Sequence, residues 1–293
     1  MTATREPGLL ARAPSTGLIV GAIASVQFGS AIAATLFARV GPGGAVLLRL
    51  GSASVVLVAL WRPRIQRRTR RELVLAVAFG LVLAGMNLTF YTALHRIPLG
   101  IAVSIEFLGP LAVAVGGSRR PIDLLWVALA AAGIVALAHG GTRHLSGVGV
   151  AFALAAGCLW AAYILLNARV GRAFEGGTGL ALAMCVGSVV AIPAGVIDGG
   201  AHLLDARSLV LGTAVGMLSS AIPYSFELEA LRRIAVNVFG VLMSLEPAMA
   251  ALAGLIVLGQ GLSLRAIIGI ALVVAASAGA SLQTREPPVA VSG

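Results

Sequence analysis

The sequence predicts an all-α polytopic membrane protein with ten transmembrane helices, and three observations support this fold class. Of its 293 residues, 59% are hydrophobic and only 11% are charged, whereas a typical soluble protein has about 25% charged residues. The mean hydropathy is +1.00, which excludes an intrinsically disordered chain because disorder requires low hydrophobicity. The apolar residues form stretches of about 20 residues, which is the length that a helix needs to cross a bilayer.

Short linkers separate the ten apolar stretches, so no separate soluble domain is expected. The polar segment 1–16 and the segment 284–293 are predicted to be tails. The first stretch has no small-residue cleavage site after it and is interpreted as a retained helix rather than a signal peptide. The predicted spans are 17–38, 43–61, 72–94, 98–117, 122–140, 147–167, 177–197, 209–231, 236–258 and 264–283.

The net charge of +10 arises from 21 basic residues, all of them arginine. A basic chain is also typical of nucleic-acid binding, but these arginines lie mainly in the linkers. If both termini lie in the cytoplasm, 15 arginines fall on the cytoplasmic side and five on the other, with Arg49 inside a span. Cytoplasmic loops of membrane proteins carry an excess of basic residues. This bias predicts cytoplasmic termini and no nucleic-acid partner.

The two halves of the chain resemble each other. Residues 17–41 align without gaps to 147–171 with eight of 25 positions identical, and Gly100, Ser104 and Glu106 correspond to Gly240, Ser244 and Glu246. Each half, 17–140 and 147–283, contains five predicted spans, so the second half enters the membrane from the opposite side. Inverted repeats of this kind are a transporter architecture, with the site at the repeat interface.

Five ionisable residues lie within the predicted spans, where charged groups are costly and are functional candidates. They are Arg49, Glu106, Glu227, Glu229 and Glu246. Glu106 and Glu246 occupy equivalent repeat positions, and Pro110 and Pro247 follow them and can kink their helices. A carboxyl group at that depth can bind a proton or a substrate ammonium group, or it can pair with Arg49 in a purely structural role.

Of the two acids in the eighth span, Glu227 is the better candidate to face the interior, because Pro223 and Tyr224 precede it. Glu229 points about 200° away on the helix. Arg49 lies near its span's outer end, so it can snorkel, form a structural pair or bind a substrate carboxylate. Further polar residues can line a cavity or simply pack: Gln27, Asn87, Thr89, Tyr91, Tyr163, Asn167 and Tyr224.

Several chemistries have no sequence signature. The chain lacks a zinc-binding His-Glu-x-x-His motif, a Walker A motif and a Gly-x-Ser-x-Gly elbow. Cys158 and Cys185 lie in apolar stretches and are interpreted as small core residues rather than a disulfide or metal site. We therefore expect no cofactor, no metal and no enzyme activity.

Two groups of segments, one in each half of the chain, form a recognisable pattern. They are Gly85-Met86-Asn87-Leu88, Phe90-Tyr91, Arg96-Ile97-Pro98-Leu99-Gly100, Glu106-Phe107, Gly109-Pro110, Pro223-Tyr224-Ser225, Glu227, Phe239-Gly240 and Glu246-Pro247. With them the chain resembles the bacterial threonine/homoserine exporters of the EamA type within the drug/metabolite transporter superfamily. The resemblance runs from about residue 17 to 283, and the first-half segment is the more discriminating. One departure is Gly259-Gln260, where many EamA repeats have Gly-Glu.

The resemblance implies a multi-pass inner-membrane exporter of small amino acids or related metabolites, which is expected to be proton-coupled. The expected partners are a small-molecule substrate, protons and the lipid bilayer, and the candidate site residues are Glu106, Glu246, Glu227, Arg49, Asn87, Tyr91 and Tyr224. A carrier of drugs or other metabolites with the same fold, or a non-enzymatic membrane scaffold, is the alternative. Oligomeric state cannot be read from the sequence.

Overall fold

The computed structural model describes residues 14–63, 68–116, 122–139, 145–231 and 236–283, and all regular structure in these segments is helical. Thirteen α-helices, a 3₁₀ turn and a π turn make up this part of the chain. In chain order they are α1 Ser15–Thr35, α2 Phe37–Trp61, α3 Arg70–Leu94, α4 Leu99–Glu106, α5 Leu108–Gly116, α6 Asp123–His139, α7 Gly147–Ala173, α8 Thr178–Gly199, the 3₁₀ turn Gly200–Leu204, α9 Ala206–Gly216, the π turn Met217–Ala221, α10 Ile222–Leu231, α11 Val236–Met243, α12 Glu246–Leu258 and α13 Leu264–Gln283.

Eight helical segments in the described part of the chain are long and apolar enough to cross a membrane. Helix α6 contains a shorter apolar stretch, Asp123–Leu137. The predicted span 209–231 falls on α9, the π turn and α10, which follow one another without a break in the chain. The fold is therefore a multi-pass helical bundle, and the count of ten spans remains a prediction.

Several predicted linkers are shorter in the structure. Helix α2 begins at Phe37 rather than at 43, and within its first turns Gly41 alone departs from helical geometry, with φ of 63°. Glycine adopts this left-handed conformation without steric cost, and Pro42 then starts the helix proper because its fixed φ suits a first helical position. Helix α7 likewise continues to Ala173, six residues beyond its predicted end at 167.

Two of the membrane segments are broken near their middle. Helix α4 ends at Glu106 and α5 starts at Leu108, while α11 ends at Met243 and α12 starts at Glu246. Pro110 and Pro247 explain both breaks, because each lacks the N–H that would bond to the carbonyl four residues earlier. The two carboxylates thus lie directly at interruptions of their helices.

The helices of the first half pack mainly on helices of the second. Helix α2 packs on α8, α3 on α7 and α8, α1 on α10 and α12, α4 on α12, and α6 on α13. Small residues permit close approach at these crossings. A methyl group on Gly157 of α7 would lie 2.8 Å from the carbonyl oxygen of Glu106, so α7 contacts the backbone of the broken helix directly.

Candidate functional site

A cavity of about 190 Å³ lies between helices of the two halves. It contains Glu106, Glu227 and Glu246, the arginine and several neutral polar groups. Most of the remaining lining is apolar or aromatic. The lining residues are Val26, Gln27, Ser30, Arg49, Leu50, Leu83, Met86, Asn87, Phe90, Val103, Glu106, Trp160, Tyr163, Met184, Ser219, Ser220, Pro223, Glu227, Met243 and Glu246.

Glu106 and Glu246 lie at the two helix breaks, one in each half of the chain, and both line the cavity. Both side chains are buried, at 8% and 6% exposure. The amide Nε2 of Gln27 donates to Glu246 Oε2 at 3.5 Å, which ties α1 to the start of α12. Glu106, Glu227 and Glu246 all line this cavity, so the three carboxyl groups share one environment.

Glu227 lines the cavity one turn after Pro223, which also lines it. The structure thus brings Glu227 together with Glu106 and Glu246. The side chains of Tyr224 and Glu229 lie outside the described residues, so the expected cavity role of Tyr224 and the preference for Glu227 over Glu229 stay predictions.

Arg49 turns towards the cavity and does not snorkel to the membrane surface. Its Nη1 donates to the Tyr91 hydroxyl at 3.1 Å, and its Nη2 donates to the carbonyl oxygen of Ser219 at 3.5 Å. Arg49 and Glu106 line the same cavity, but among the described residues no ion pair within 4.0 Å joins Arg49 to a carboxylate. The guanidinium therefore bonds to neutral groups, and its positive charge is not paired with a carboxylate of the described residues.

Tyr91 does not itself line the cavity, contrary to expectation. Its ring is fully buried behind Arg49, whose guanidinium carbon lies 5.6 Å from the ring centroid. Phe37 and Phe90 pack against the ring at centroid distances of 5.7 and 5.9 Å. A large buried ring with a hydroxyl at its tip is suited to holding the arginine in place, so Tyr91 is a positioning residue.

Asn87 lines the cavity, and its Nδ2 donates to the carbonyl oxygen of Leu83 at 2.8 Å. Of the other polar candidates, Thr89 bonds back to its own helix at Gly85 and Met86. Asn167 is exposed.

Ser219 and Ser220, which sequence reasoning missed, also line the cavity. They lie in the π turn Met217–Ala221, where the N–H of Ile222 bonds five residues back to the carbonyl oxygen of Met217. Single π turns inside α-helices are frequent at functional sites. The signal that was available is Pro223, which disturbs the preceding helical turn and lies three positions after the pair Ser219-Ser220.

The described residues contain no group of three or more His, Cys, Asp and Glu side chains that can hold a metal ion. Both cysteines are free, Cys158 being exposed on α7 and Cys185 half-buried on α8. The cavity therefore offers one cation, three carboxyl groups, amides and hydroxyls as its recognition chemistry.

A polar cluster at one end of the bundle joins the start of α2 to the end of α8 and the start of α9. Arg39 donates to Asp205 Oδ2 at 2.6 Å, and His202 Nδ1 lies 3.2 Å from the same oxygen. The hydrogen bond from Arg39, then that from His202, lowers the pKa of Asp205 below its ordinary value. Asp198 accepts from the N–H of Gly43 at 2.8 Å, which caps the helix that follows the Gly41 break.

Comparison with known proteins identifies this architecture. Residues 147–282 match the EamA-like transporter family. The chain is 41% identical over 269 residues to the threonine/homoserine exporter RhtA of Salmonella typhimurium strain SL1344, covering 91% of each chain. It is 39% identical over 285 residues to the threonine/homoserine exporter RhtA of Escherichia coli strain K12, covering 96% of each chain.

A solved crystal structure has the same fold, with a TM-score of 0.63 at 19% sequence identity, covering 92% of this chain and 98% of the other. The helical bundle, the cavity with its charged residues and identity of about 40% to exporters along nearly the whole chain agree with one another. The chain is a multi-pass transmembrane transporter and belongs to the EamA-like transporter family.

Proposed function

We propose that the protein is a secondary exporter that moves small amino acids of the threonine and homoserine type across the bacterial inner membrane in exchange for protons. The observation that carries the proposal is the cavity, which combines Arg49 with two buried carboxyl groups, those of Glu106 and Glu246, and the half-buried one of Glu227. Its volume of about 190 Å³ is below the roughly 300–1,000 Å³ of pockets for drug-sized ligands. The named activity of the relatives agrees with this size and charge.

A zwitterionic amino acid matches the charges of the cavity. Arginine binds carboxylates through a planar pair of donors, and Arg49 has no carboxylate of the protein within 4.0 Å among the described residues. The substrate ammonium group can then bind at Glu106, Glu227 or Glu246. Mutual repulsion of three carboxylates in one cavity is relieved by a cation, so a proton and a substrate ammonium group can replace each other there.

The proposed transport cycle requires two five-helix repeats, 17–140 and 147–283, that exchange conformations. The packing supports this division because each contact between the halves has a counterpart in which the two halves exchange roles. The contact of α3 with α7 corresponds to that of α10 with α1, and the contact of α5 with α7 corresponds to that of α12 with α1. Helix α2 packs on its own counterpart, α8. Alternating access around a central site follows when two similar halves swap conformations.

The direct test of the proposed function is counterflow in proteoliposomes. Vesicles containing purified protein and loaded with unlabelled L-threonine or L-homoserine should accumulate the labelled amino acid transiently. L-arginine and a lipophilic drug cation serve as comparison substrates. Accumulation of the drug cation without that of either amino acid would contradict the proposal and favour a drug carrier of the same fold.

Proton coupling is tested with Glu246→Gln and Glu106→Gln, which keep the shape of the side chain but remove its titration. We expect Glu246→Gln to abolish export driven by a pH gradient. If Glu246 carries the proton, counterflow survives, because exchange needs no net proton transfer. If Glu246 binds the ammonium group, counterflow is lost as well.

The matched control is Glu175→Gln, because Glu175 is an exposed carboxylate outside the helices. Folded yield is measured for each variant, since a purely structural carboxylate would lose yield and transport together. Wild-type export rates across a range of pH in both cavity variants would show that Glu106 and Glu246 take no part in coupling.

A further inference from the structure

Two other helices donate hydrogen bonds to carbonyl oxygens of the π turn Met217–Ala221. Pro223 has no N–H, so the carbonyl groups four and five residues earlier, those of Ser219 and Leu218, lose this donor. The hydroxyl of Ser25 donates to the Leu218 oxygen at 2.6 Å, and Arg49 donates to the Ser219 oxygen at 3.5 Å. Helices α1 and α2 thus replace the bond that proline removes and fix the turn beside Arg49.

This turn leaves its two serine hydroxyls buried without a partner in the protein. Ser219 is 6% exposed and Ser220 is 1% exposed, and neither Oγ makes a hydrogen bond. Gln27 Oε1 and Arg49 Nε are likewise buried and make no hydrogen bond. Among the described residues, six buried side-chain nitrogen or oxygen atoms lack a partner, and these four belong to residues that line the cavity.

Unpartnered buried polar atoms are expensive, at about 1–3 kcal/mol each, and four in one cavity indicate a ligand that pairs with them. The four fall into two groups by chemistry and position. Arg49 Nε can only donate, the two hydroxyls can donate as well as accept, and Arg49 is bonded to the same turn that carries the serines. Gln27 Oε1 is an acceptor, and Gln27 is bonded to the acidic Glu246.

The two groups complement the two ends of an amino acid. A carboxylate only accepts hydrogen bonds and an ammonium group only donates them. We propose, on the basis of the proposed function, that Ser219 and Ser220 form with Arg49 the carboxylate subsite for an α-amino acid, while Gln27 and Glu246 hold its ammonium group. The serines of the π turn are therefore determinants of substrate selection rather than packing residues.

The test compares L-threonine with L-threoninamide, which keeps the ammonium and hydroxyl groups but lacks the carboxylate. Apparent affinities come from ligand-dependent thermal stabilisation of the purified protein. The double variant Ser219→Ala/Ser220→Ala should weaken threonine binding about tenfold or more, because hydrogen bonds to a charged group are lost. Threoninamide binding should be unchanged.

Two further variants sharpen the comparison. Ser188→Ala is the matched control, because the Ser188 hydroxyl bonds to Met184 of its own helix and the residue does not line the cavity; neither affinity should change. Arg49→Lys keeps the charge but loses the planar pair of donors, so it should reduce affinity for threonine and not for threoninamide. The single serine variants are measured alongside the double variant, so a folding defect in one of them does not end the test.

Two binding results would overturn the subsite. If the serine variants weaken the binding of threonine and threoninamide equally, the serines contact the substrate hydroxyl or stabilise the fold. If the affinity for both compounds is unchanged, the serines take no part in recognition. Absence of counterflow with threonine and homoserine in the wild-type protein would instead overturn the proposed function and the subsite with it. Intact counterflow with no discrimination by the serine variants overturns the subsite alone.

Discussion

Three prolines act on the cavity in the same way. Pro110, Pro223 and Pro247 each lack the N–H that would bond to the carbonyl group four residues earlier. Those carbonyl groups belong to Glu106, Ser219 and Met243, and all three residues line the cavity. Each proline thus removes an internal helical hydrogen bond at a residue that lines the cavity, and at Pro223 the Ser219 oxygen accepts from Arg49 instead.

Gln260 illustrates a polar residue that joins the two halves away from the cavity. Its backbone N–H donates to the Gly254 oxygen at the end of α12, and its side-chain Oε1 accepts from the N–H of Leu99 at 3.0 Å. Leu99 is the first residue of α4, where backbone N–H groups lack helical partners. The side chain therefore caps one broken helix from the end of the other.

We expect Gln260→Met to lower stability by about 1 kcal/mol, because the side chain keeps its length but loses the capping acceptor. Gln260→Glu should retain or raise stability, since it keeps the acceptor and adds negative charge at a helix N-terminus. Thermal unfolding of the purified variants in detergent measures both. If Gln260→Glu is as destabilised as Gln260→Met, the capping role of the side chain is wrong.

At the scale of helices, small residues decide which elements can touch. Helices α6 and α13 cross with Gly133 and Gly269 facing each other, and a methyl group on either would lie 2.8 Å from the carbonyl oxygen of the other. The obstacle is backbone in both directions, so a side chain cannot move aside to make room. The crossing therefore depends on the absence of Cβ atoms at both positions.

Gly269→Ala should lower the free energy of unfolding by about 1–3 kcal/mol through overpacking. The matched control is Gly51→Ala in α2, where nothing lies within 4 Å of the added methyl group. There the better helix propensity of alanine, about 1 kcal/mol, should leave stability equal or higher. Thermal unfolding and folded yield measure the contrast, and equal destabilisation of both variants would show that α6 and α13 do not pack at these glycines.

At the scale of the whole molecule, α3 and α7 run antiparallel, so their first residues lie at opposite ends of the bundle. A methyl group on Gly149 would lie 2.8 Å from Ile97 at one end. Further along, Phe79 stacks on Tyr163 with ring centroids 5.0 Å apart. Thr69 caps the start of α3 and Ser146 caps the start of α7, which places these two residues at opposite ends of the helix bundle.

The arginine bias predicts which face is which. In a background where Cys158 and Cys185 are replaced by Ala, a cysteine introduced at Ser146 should react with an impermeant thiol reagent on intact cells. A cysteine at Thr69 should react only after the cells are permeabilised. The reversed pattern would contradict the cytoplasmic assignment of the termini, and labelling of both positions from one side would contradict the antiparallel packing.

Much of the molecule could be predicted from one-dimensional patterns. Apolar stretches located the membrane helices because the thickness of the bilayer fixes their length. Glu106 and Glu246 stood out because an ionisable residue in such a stretch is rare and costly. The first and last residues of the helices were less predictable, because tertiary packing as well as local propensity decides where a helix ends. Residues Phe37–Val40, for example, add a helical turn before the Gly41 break.

The sequence by itself determined the class of the protein, its apolar spans and the acids that they carry, because composition, span length and the rarity of buried charge do not depend on folding detail. Only the tertiary structure decided how these residues meet. It turned Arg49 inward, placed Tyr91 behind it, and brought Ser219 and Ser220 into the cavity lining with Gln27. The hydrogen bond between Gln27 and Glu246 joins residues 219 positions apart. Such relations depend on which helix faces pack together, which no local pattern in the chain records.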